Sequence, residues 1–222
     1  MNNIAENNSN SESKDVRERL LDAAEGFFAE KGFEGTSVRD LTATAGSNIA
    51  AVNYHFGSKE KLYIEVFRRR MSEIRTIRVD SVNELMSQDD YEISLEQLLH
   101  VFAMAFIEPL TDKGGKRQFL KLLVREMSAN RLPKRMFVDE LAGPTLRTLG
   151  DAIIKICPDL EQKKVLQSIM SFISQLVYFV NIKEMFKDND FTELPMDSID
   201  EFIEHIVEFS AAGIRAAAKK GN

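Results

Sequence analysis

Residues 37–56, SVRDLTATAGSNIAAVNYHF, contain two short helical patterns on either side of Gly46. Ser37 with Asp40 three residues later resembles a capping box, which is typical of a helix start. Asn48 is a good N-cap for the second helix. Two helices of about two turns that are joined by a glycine turn predict a helix-turn-helix.

The second of these helices is predicted to have two different faces. Val52 and Phe56 are four residues apart and share one face, with Ile49 beside them, so we expect these three to pack on apolar residues of the preceding helices. The opposite face would present small or polar residues, namely Ala50, Ala51, Tyr54 and His55, with Asn53 at the flank. Such a face lets a helix approach base edges closely, because alanine contacts thymine methyls and asparagine pairs with adenine.

Groups that can bind phosphate border this face. Tyr54 and His55 can reach phosphate oxygens, and Lys59 and Lys61 lie in the first turn of the next helix, whose free amide groups also favour a phosphate. The pattern therefore indicates a DNA-binding surface. Two short helices around a glycine also occur as ordinary packing, so the pattern alone leaves a structural interpretation open.

Helical periodicity extends over nearly the whole chain, and no strand or hairpin signal is present. The fold class predicted is all-α with about nine helices: three short ones, a long connector and a larger helical body. Gly143-Pro144 predicts a kink or a split within a helix at 134–156. The predicted helices cover approximately 15–32, 37–45, 48–56, 58–85, 93–108, 115–129, 134–156, 160–187 and 197–219.

The bulk properties exclude several classes of protein. The net charge is −6, but residues 1–80 are close to neutral, so a DNA partner is not excluded. The polar N-terminus and the lack of a long apolar run favour a cytoplasmic protein without a membrane partner, and the single Cys157 fits a structural thiol. Three scattered histidines and the absence of a phosphate loop or serine elbow argue against an enzyme, a metal site or a cofactor.

Residues 19–63, RLLDAAEGFFAEKGFEGTSVRDLTATAGSNIAAVNYHFGSKEKLY, resemble the DNA-binding domain of the TetR/AcrR family of bacterial transcriptional repressors. The later segments REMSANRLPKRM and IEHIVEFSAAGIRA are similar to its CecR-like branch. The polar composition of the N-terminus predicts a disordered arm at 1–13. The resemblance implies a DNA-binding domain at 14–73 and an effector-binding and dimerisation domain at 74–222.

The resemblance also implies a set of DNA contacts. Phosphates would be bound by Thr36, Ser37, Arg39, Tyr54, His55 and Lys59, and bases would face Asn48, Ala50, Ala51 and Asn53. Ser47 stands where the family usually has a valine packed into the turn, so the turn is looser or the serine reaches DNA. Ile49 stands where many relatives have a polar or basic residue.

A homodimer on a pseudo-palindromic operator is the expected assembly, because one such module contacts only a half-site. The helix around 165–186 is apolar nearly all round, and the last helix adds further apolar residues, so part of this surface is predicted to meet a partner copy. The resemblance implies a four-helix bundle. The predicted interface residues are Met170, Ile173, Val177, Val180, Phe202, Ile206 and Phe209.

An effector pocket for a small apolar molecule is implied chiefly by the resemblance. Its predicted lining is His100, Phe102, Phe106, Phe119, Leu123, Met127, Phe137 and Tyr178, with His100, Tyr178 and Arg125 as candidate polar anchors.

The arginines at 68–70, with Arg75 and Arg78, are predicted to form a solvated stripe on the connector. The function predicted is a transcriptional repressor that an effector releases from its operator. The alternative is a helical ligand-binding or scaffold protein without DNA binding.

Overall fold

The computed structural model describes residues 2–88, 92–111, 119, 122, 123, 125, 126, 129–185 and 199–219. All regular structure within these ranges is helical, which confirms the all-α fold class, with eight α-helices close to the predicted number. They are α1 (Asn2–Lys31), α2 (Val38–Thr44), α3 (Ala50–Phe56), α4 (Lys59–Met86), α5 (Leu95–Thr111), α6 (Gly143–Ile156), α7 (Gln162–Met185) and α8 (Ile199–Ala218).

Several helix ends differ from those predicted. The backbone of α1 is helical from Asn2, where the sequence suggested a disordered arm, and residues 2–25 contain neither glycine nor proline to stop the helix. Helix α5 continues through Pro109 to Thr111. The helix predicted at 115–129 lies largely outside the described residues, but its described members, Phe119 and Leu122 among them, are helical.

The predicted split at Gly143-Pro144 is observed. A π-helical turn, Val138–Ala142, ends there and α6 begins with Gly143, so that Pro144 lies in the first turn of the new helix. Proline is tolerated in a first turn because its missing N–H would have no intrahelical partner. A Cβ atom at Gly143 would lie 2.9 Å from the carbonyl oxygen of Val138, so the close approach of the two turns requires glycine.

The chain forms two compact units. The N-terminal unit consists of residues 1–71 and 112–134, and the C-terminal unit consists of residues 72–111 and 135–222. Helix α4 contributes its first half to the N-terminal unit and its second half to the C-terminal unit. This grouping places 112–134 with the N-terminal unit, whereas the sequence-based division at residue 73 assigns the segment to the C-terminal domain.

A buried polar contact fixes the segment around residue 126 within the N-terminal unit. The Tyr63 hydroxyl donates a hydrogen bond to Glu126 at 2.9 Å, and the other carboxylate oxygen of Glu126 accepts the backbone N–H of Leu132 at 2.6 Å. Burial and the Glu126 carboxylate both raise the pKa of Tyr63, so the phenol remains a donor. Arg125 donates to the carbonyl of Glu30 at 2.9 Å and is therefore a contact of the N-terminal unit.

Glu25 is the most buried carboxylate among the described side chains of the N-terminal unit, at 2% exposure. It accepts hydrogen bonds from Arg69 at 3.0 Å and from Arg70 at 2.6 Å. The prediction of a solvated arginine stripe on α4 is therefore wrong for these two residues. It also fails for Arg78, which is buried in the C-terminal unit. Sequence spacing gives the face of a helix but does not show which other helix covers it.

Aromatic contacts organise the core of the C-terminal unit. Phe102 on α5 lies against Phe172 on α7 with ring centroids 6.2 Å apart, and Phe179 stacks on Phe202 of α8 at 4.1 Å. Near the end of α6, burial raises the pKa of the Cys157 thiol, which keeps it protonated and unreactive at neutral pH.

The Glu25 cluster leads to a stability prediction. Glu25→Gln preserves the shape of the side chain but removes the charge that Arg69 and Arg70 share, so we expect the free energy of unfolding to fall by about 2 kcal/mol. Urea denaturation measures this. Glu30→Gln, at an exposed site of the same helix, is the matched control and should change stability by no more than about 0.5 kcal/mol. Equal effects of the two substitutions would contradict the assignment.

Candidate nucleic-acid interface

Helices α2 and α3 and the turn between them form the predicted helix-turn-helix. Ser37 caps α2 by accepting the backbone N–H of Asp40 at 3.1 Å. Gly46 has a φ of +61°, a conformation that favours glycine, and permits the chain to reverse after α2. Arg19 of α1 donates to the carbonyl of Ala45 at 2.8 Å and so fixes the turn to the rest of the unit.

Helix α3 separates its two faces largely as predicted. Val52 and Phe56 are buried, Val52 with 1% exposure. The opposite face carries Ala50, Asn53 and Tyr54, which are exposed, with Tyr54 at 80%. Ala51 and His55 are half-buried, and the His55 ring lies edge-on to Tyr54 at 4.9 Å. The exposed face thus consists of small or polar residues, together with the aromatic rings of Tyr54 and His55.

The prediction that Ile49 packs beside Val52 is wrong. Ile49 precedes the first residue of α3 and is 58% exposed. In a helix the Cα–Cβ bond tilts toward the N-terminus, so a side chain at this end extends beyond the turn that packs on the core. Ile49 therefore adds an apolar side chain to the exposed face, a contribution that the periodicity did not reveal.

The polar residues around α3 differ in their exposure and in whether their side chains already form hydrogen bonds within the protein. Ser37 and Arg39 are exposed at the start of α2. Asn48 uses its side-chain oxygen to cap α3, since it accepts the Ala51 N–H at 3.0 Å. Thr36 is buried and its hydroxyl donates to the carbonyl of Gly32 at 2.7 Å, which gives it a structural role and does not support the predicted phosphate contact.

The first turn of α4 carries charges of both signs. Lys59 is half-buried, with its ammonium nitrogen 4.2 Å from the centroid of the Phe33 ring. Ser58 caps the helix by accepting the Lys61 N–H at 3.2 Å. A backbone hydrogen bond, and secondly Ser58, lower the pKa of Glu60, so this carboxylate is ionised at neutral pH. A phosphate at this helix end would therefore have to approach from the side of the two lysines.

Ser47, in the turn, has a buried hydroxyl for which the described residues provide no hydrogen-bond partner. Its backbone N–H donates to the carbonyl of Thr42 at 2.9 Å, so the turn is closed by the main chain. The structure does not support a DNA contact from Ser47, because its oxygen faces the interior. Serine in place of the usual valine therefore leaves a buried oxygen without a partner among the described residues.

The predicted effector residues do not form one cluster. Phe102 and Phe106 are buried in the C-terminal unit, whereas His100, Phe137 and Tyr178 are exposed. Phe119 belongs to the N-terminal unit, where its ring lies 5.7 Å from that of Phe67, and Leu123 is half-buried in the same unit. Met127 lies outside the described residues.

The predicted dimer residues divide into surface and core. Met170, Val177 and Phe209 are exposed large apolar side chains. Ile173 and Phe202 are half-buried. Val180 and Ile206 are buried within the C-terminal unit, where helical spacing had suggested an interface. They belong to the core of this unit, because α7 and α8 also pack on each other within one chain.

Two further observations concern other kinds of site. Within the described ranges, no three His, Cys, Asp or Glu side chains come together in a way that could hold a metal ion. No helix in the described part of the chain combines the length and the apolar character that crossing a membrane requires.

Comparison with known proteins agrees with this geometry. The model for bacterial regulatory proteins of the tetR family matches residues 20–66, and that for the tetracyclin repressor-like C-terminal domain matches residues 100–213. The second match alone spans half of the chain. The protein belongs to the tetR family of bacterial regulatory proteins.

Two curated relatives are similar over short segments of the chain. The HTH-type transcriptional repressor AcnR of Corynebacterium efficiens is 38% identical over 73 residues, which cover 32% of this chain and 38% of AcnR. The dual regulator CecR of Shigella flexneri is 47% identical over 49 residues, 22% of each chain. The matched segments thus span well under half the length of these relatives.

The fold is shared over a longer range. A tetR-family regulator from Mesorhizobium loti superposes with a TM-score of 0.68 over 92% of this chain and 96% of its own, at 19% sequence identity. At this identity the likeness concerns the fold alone.

The buried Ser47 hydroxyl leads to a stability prediction in which Ser47→Ala and Ser58→Ala have opposite effects. Ser47→Ala removes a buried polar atom without a partner, so we expect the free energy of unfolding to rise by about 1 kcal/mol. Ser58→Ala is the matched comparison, since it removes the cap of α4 and should lower stability by about 1 kcal/mol. Urea denaturation of the two variants distinguishes the roles. A loss of stability in Ser47→Ala would show that its hydroxyl has a partner in solution.

Proposed function

We propose that this chain is a sequence-specific DNA-binding regulator of transcription, a homodimeric repressor that a small-molecule effector releases from its operator. The observation that carries the proposal is the division of α3, with Val52 and Phe56 in the core and Ala50 and Tyr54 exposed. A helix whose exposed face is small can enter the major groove, because no long side chain keeps its backbone from the base edges.

Within this proposal the exposed residues take distinct roles. Ala50 and Ala51 lie against bases, and Asn53 offers an amide that can pair with adenine. Ile49 adds an apolar side chain that can contact the methyl group of a thymine. Ser37, Arg39, Tyr54, His55 and Lys59 bind phosphates at the border, where such contacts set register but carry no sequence information.

The charge of the protein is compatible with this function because phosphate binding depends on local cations. Arg39 and Lys61 are exposed in the N-terminal unit, while the net charge of −6 comes mostly from residues beyond 80. Glu60 and the small number of cations favour a modest affinity for non-specific DNA. Binding should still weaken steeply as salt is raised, with a slope that corresponds to a few phosphates per half-site and that decreases in Lys59→Ala.

The alternative is a helical ligand-binding protein that has lost DNA binding, which the ionised Glu60 at the start of α4 would suit. Retention on heparin and on random duplex DNA at increasing salt distinguishes the two. The repressor is retained at low salt and elutes only as the salt concentration rises. Lys59→Ala elutes at a lower salt concentration than the wild type. A protein that passes through both columns at low salt is the helical ligand-binding protein without DNA binding.

Tyr54 offers a direct test of the proposed interface. We expect Tyr54→Ala to weaken binding to the DNA that flanks the protein's own gene by about tenfold, since it removes a hydrogen bond to a charged phosphate. Fluorescence anisotropy with the labelled duplex measures the affinity. The unfolding midpoint should stay within about 1 °C, because the side chain is exposed.

Tyr54→Phe is the matched variant, since it keeps the ring beside His55 and loses only the hydroxyl. If the hydroxyl binds phosphate, Tyr54→Phe should lose most of the affinity that Tyr54→Ala loses. Wild-type affinity in Tyr54→Ala would exclude the proposed contact.

The dimer is proposed to form through α7 and α8. Met170 and Val177 on α7 and Phe209 on α8 are exposed apolar side chains of the C-terminal unit, and Leu166 is another, nearer the start of α7. Exposed apolar surface of this kind is typical of an interface. A two-fold pairing of the same surface would produce four packed helices, the arrangement that the family resemblance implies.

The oligomeric state tests this surface. We expect Val177→Glu combined with Phe209→Glu to convert the dimer into a monomer, because two carboxylates per chain would be buried without partners. Sedimentation velocity measures the mass, and Val138→Glu, at another exposed apolar site of the same unit, is the control that should remain dimeric. A double variant that sediments as a dimer would place the interface elsewhere.

Release by an effector is proposed to act through α4, which belongs to both compact units. A ligand that favours one packing of the C-terminal unit would change the position of this helix and thereby the spacing of the two α3 helices in a dimer. Only a difference in affinity for the two states can drive such a change. A coupling of ~1–3 kcal/mol would weaken operator binding ~5–150-fold.

A further inference from the structure

Arg78 is a buried cation in the C-terminal unit. It lies on α4 midway between two buried apolar residues, Ile74 and Val82, each one helical turn away, and it is itself only 7% exposed. A side chain at this position points into the core of the unit, where a leucine or a methionine would be expected.

The guanidinium of Arg78 lies against an aromatic ring, and within the described part of the chain it meets no anion. Its central carbon lies 3.9 Å from the centroid of the Phe106 ring, so the ring covers one face of the planar group. Its Nε atom is buried, and none of the residues that the structure describes provides a hydrogen-bond acceptor for it. Among the described residues, no carboxylate forms an ion pair with it.

Other arginines of α4 have acceptors. Arg69 and Arg70 share the carboxylate of Glu25, and Arg75 donates to the carbonyl of Glu140 at 2.9 Å and to Ser72 at 3.1 Å. Burial lowers the pKa of Arg78 to about 9, which still leaves the group charged at neutral pH. An unpaired charge in such a place is unfavourable unless an anion enters to pair with it.

We propose that Arg78 binds the carboxylate of a small, largely apolar organic acid, and that this acid is the effector; the inference rests on the proposed regulatory function. No described residue accepts a hydrogen bond from Nε. The edge of a guanidinium that carries Nε can form two parallel hydrogen bonds with a planar carboxylate. A single negative charge balances the single cation, whereas a phosphate dianion would leave a buried charge uncompensated.

The surroundings of Arg78 favour a hydrocarbon body on the acid. Phe106 and Phe102 are buried neighbours on α5 with ring centroids 6.2 Å apart, and Phe102 in turn contacts Phe172. These rings offer apolar contacts to an alkyl or aryl chain and no polar group that would bind a second charge. Sugars and dicarboxylates are therefore poor candidates.

Differential scanning calorimetry of the full-length protein tests the proposal, in HEPES buffer with low chloride. The probes are sodium hexanoate, octanoate, decanoate and benzoate, with octanamide as the uncharged counterpart and inorganic phosphate as the inorganic anion. We expect at least one carboxylate to raise the melting temperature of the wild type in a saturable manner, by several degrees, while octanamide and phosphate do not.

Two variants make the test specific for Arg78. Arg78→Met should abolish the shift caused by the carboxylate, and without ligand it should melt at a higher temperature than the wild type, because it replaces an unpaired buried charge with an apolar side chain. Arg147→Met, at an exposed position of the same unit, should respond to the carboxylate as the wild type does.

Three results would overturn the proposal: an equal shift in Arg78→Met, an equal shift with octanamide or phosphate, and no shift with any carboxylate. Anisotropy with the operator duplex, measured on the same samples, separates this failure from that of the proposed function. If DNA binds and no carboxylate acts through Arg78, only the effector assignment fails. If the carboxylate binds through Arg78 and no duplex is bound, the regulatory function fails.

Discussion

The burial of Val52 and Phe56 determines the orientation of α3, and with it the surface that this unit offers to a partner. Both side chains lie on one side of a helix of only seven residues. Once they are in the core, Ala50, Asn53 and Tyr54 can only face outward. The Arg19 bond to Ala45 and the backbone bond that closes the turn at Ser47 hold α3 in register with α1 and α2. The small outer face is thus a consequence of packing.

The arginines of α4 show how one helix serves two different environments. In the N-terminal unit, Arg69 and Arg70 meet a carboxylate that is itself buried, so the charges are matched and the contact stabilises the unit. In the C-terminal unit, Arg78 is only 7% exposed and lies against the Phe106 ring, and no carboxylate among the described residues pairs with it. A buried charge that is paired with an opposite charge stabilises a single structure. A buried charge without such a partner makes the stability of the unit depend on whether an anion binds. We propose that this contrast is the physical basis on which the packing of the C-terminal unit responds to a ligand.

Local sequence signals predicted those features that depend on neighbouring residues alone. The cap at Ser37, the reversal at Gly46 and the split at Gly143-Pro144 follow from backbone preferences, and the burial of Val52 and Phe56 follows from helical spacing. Features that depend on contacts between distant segments were not found. Nothing near Tyr63 indicates that Glu126 will accept its hydroxyl, and the phase of α3 does not show that Ile49 extends past the core. Arg78 falls between these two cases. Its spacing from Ile74 and Val82 predicts a buried side chain, whereas its charge predicts a solvent-exposed one.

The most direct measurement concerns the accessibility of Ala50. Cys157 is the only cysteine of the chain, so Ala50→Cys in a Cys157→Ser background carries a single thiol on the proposed DNA-facing side. Ser87→Cys in the same background, at an exposed site after α4, is the control. If α3 enters the major groove, operator duplex should slow alkylation of the thiol at position 50 by at least about tenfold and leave that at position 87 unchanged. Equal alkylation rates at position 50 with and without bound duplex would contradict this placement.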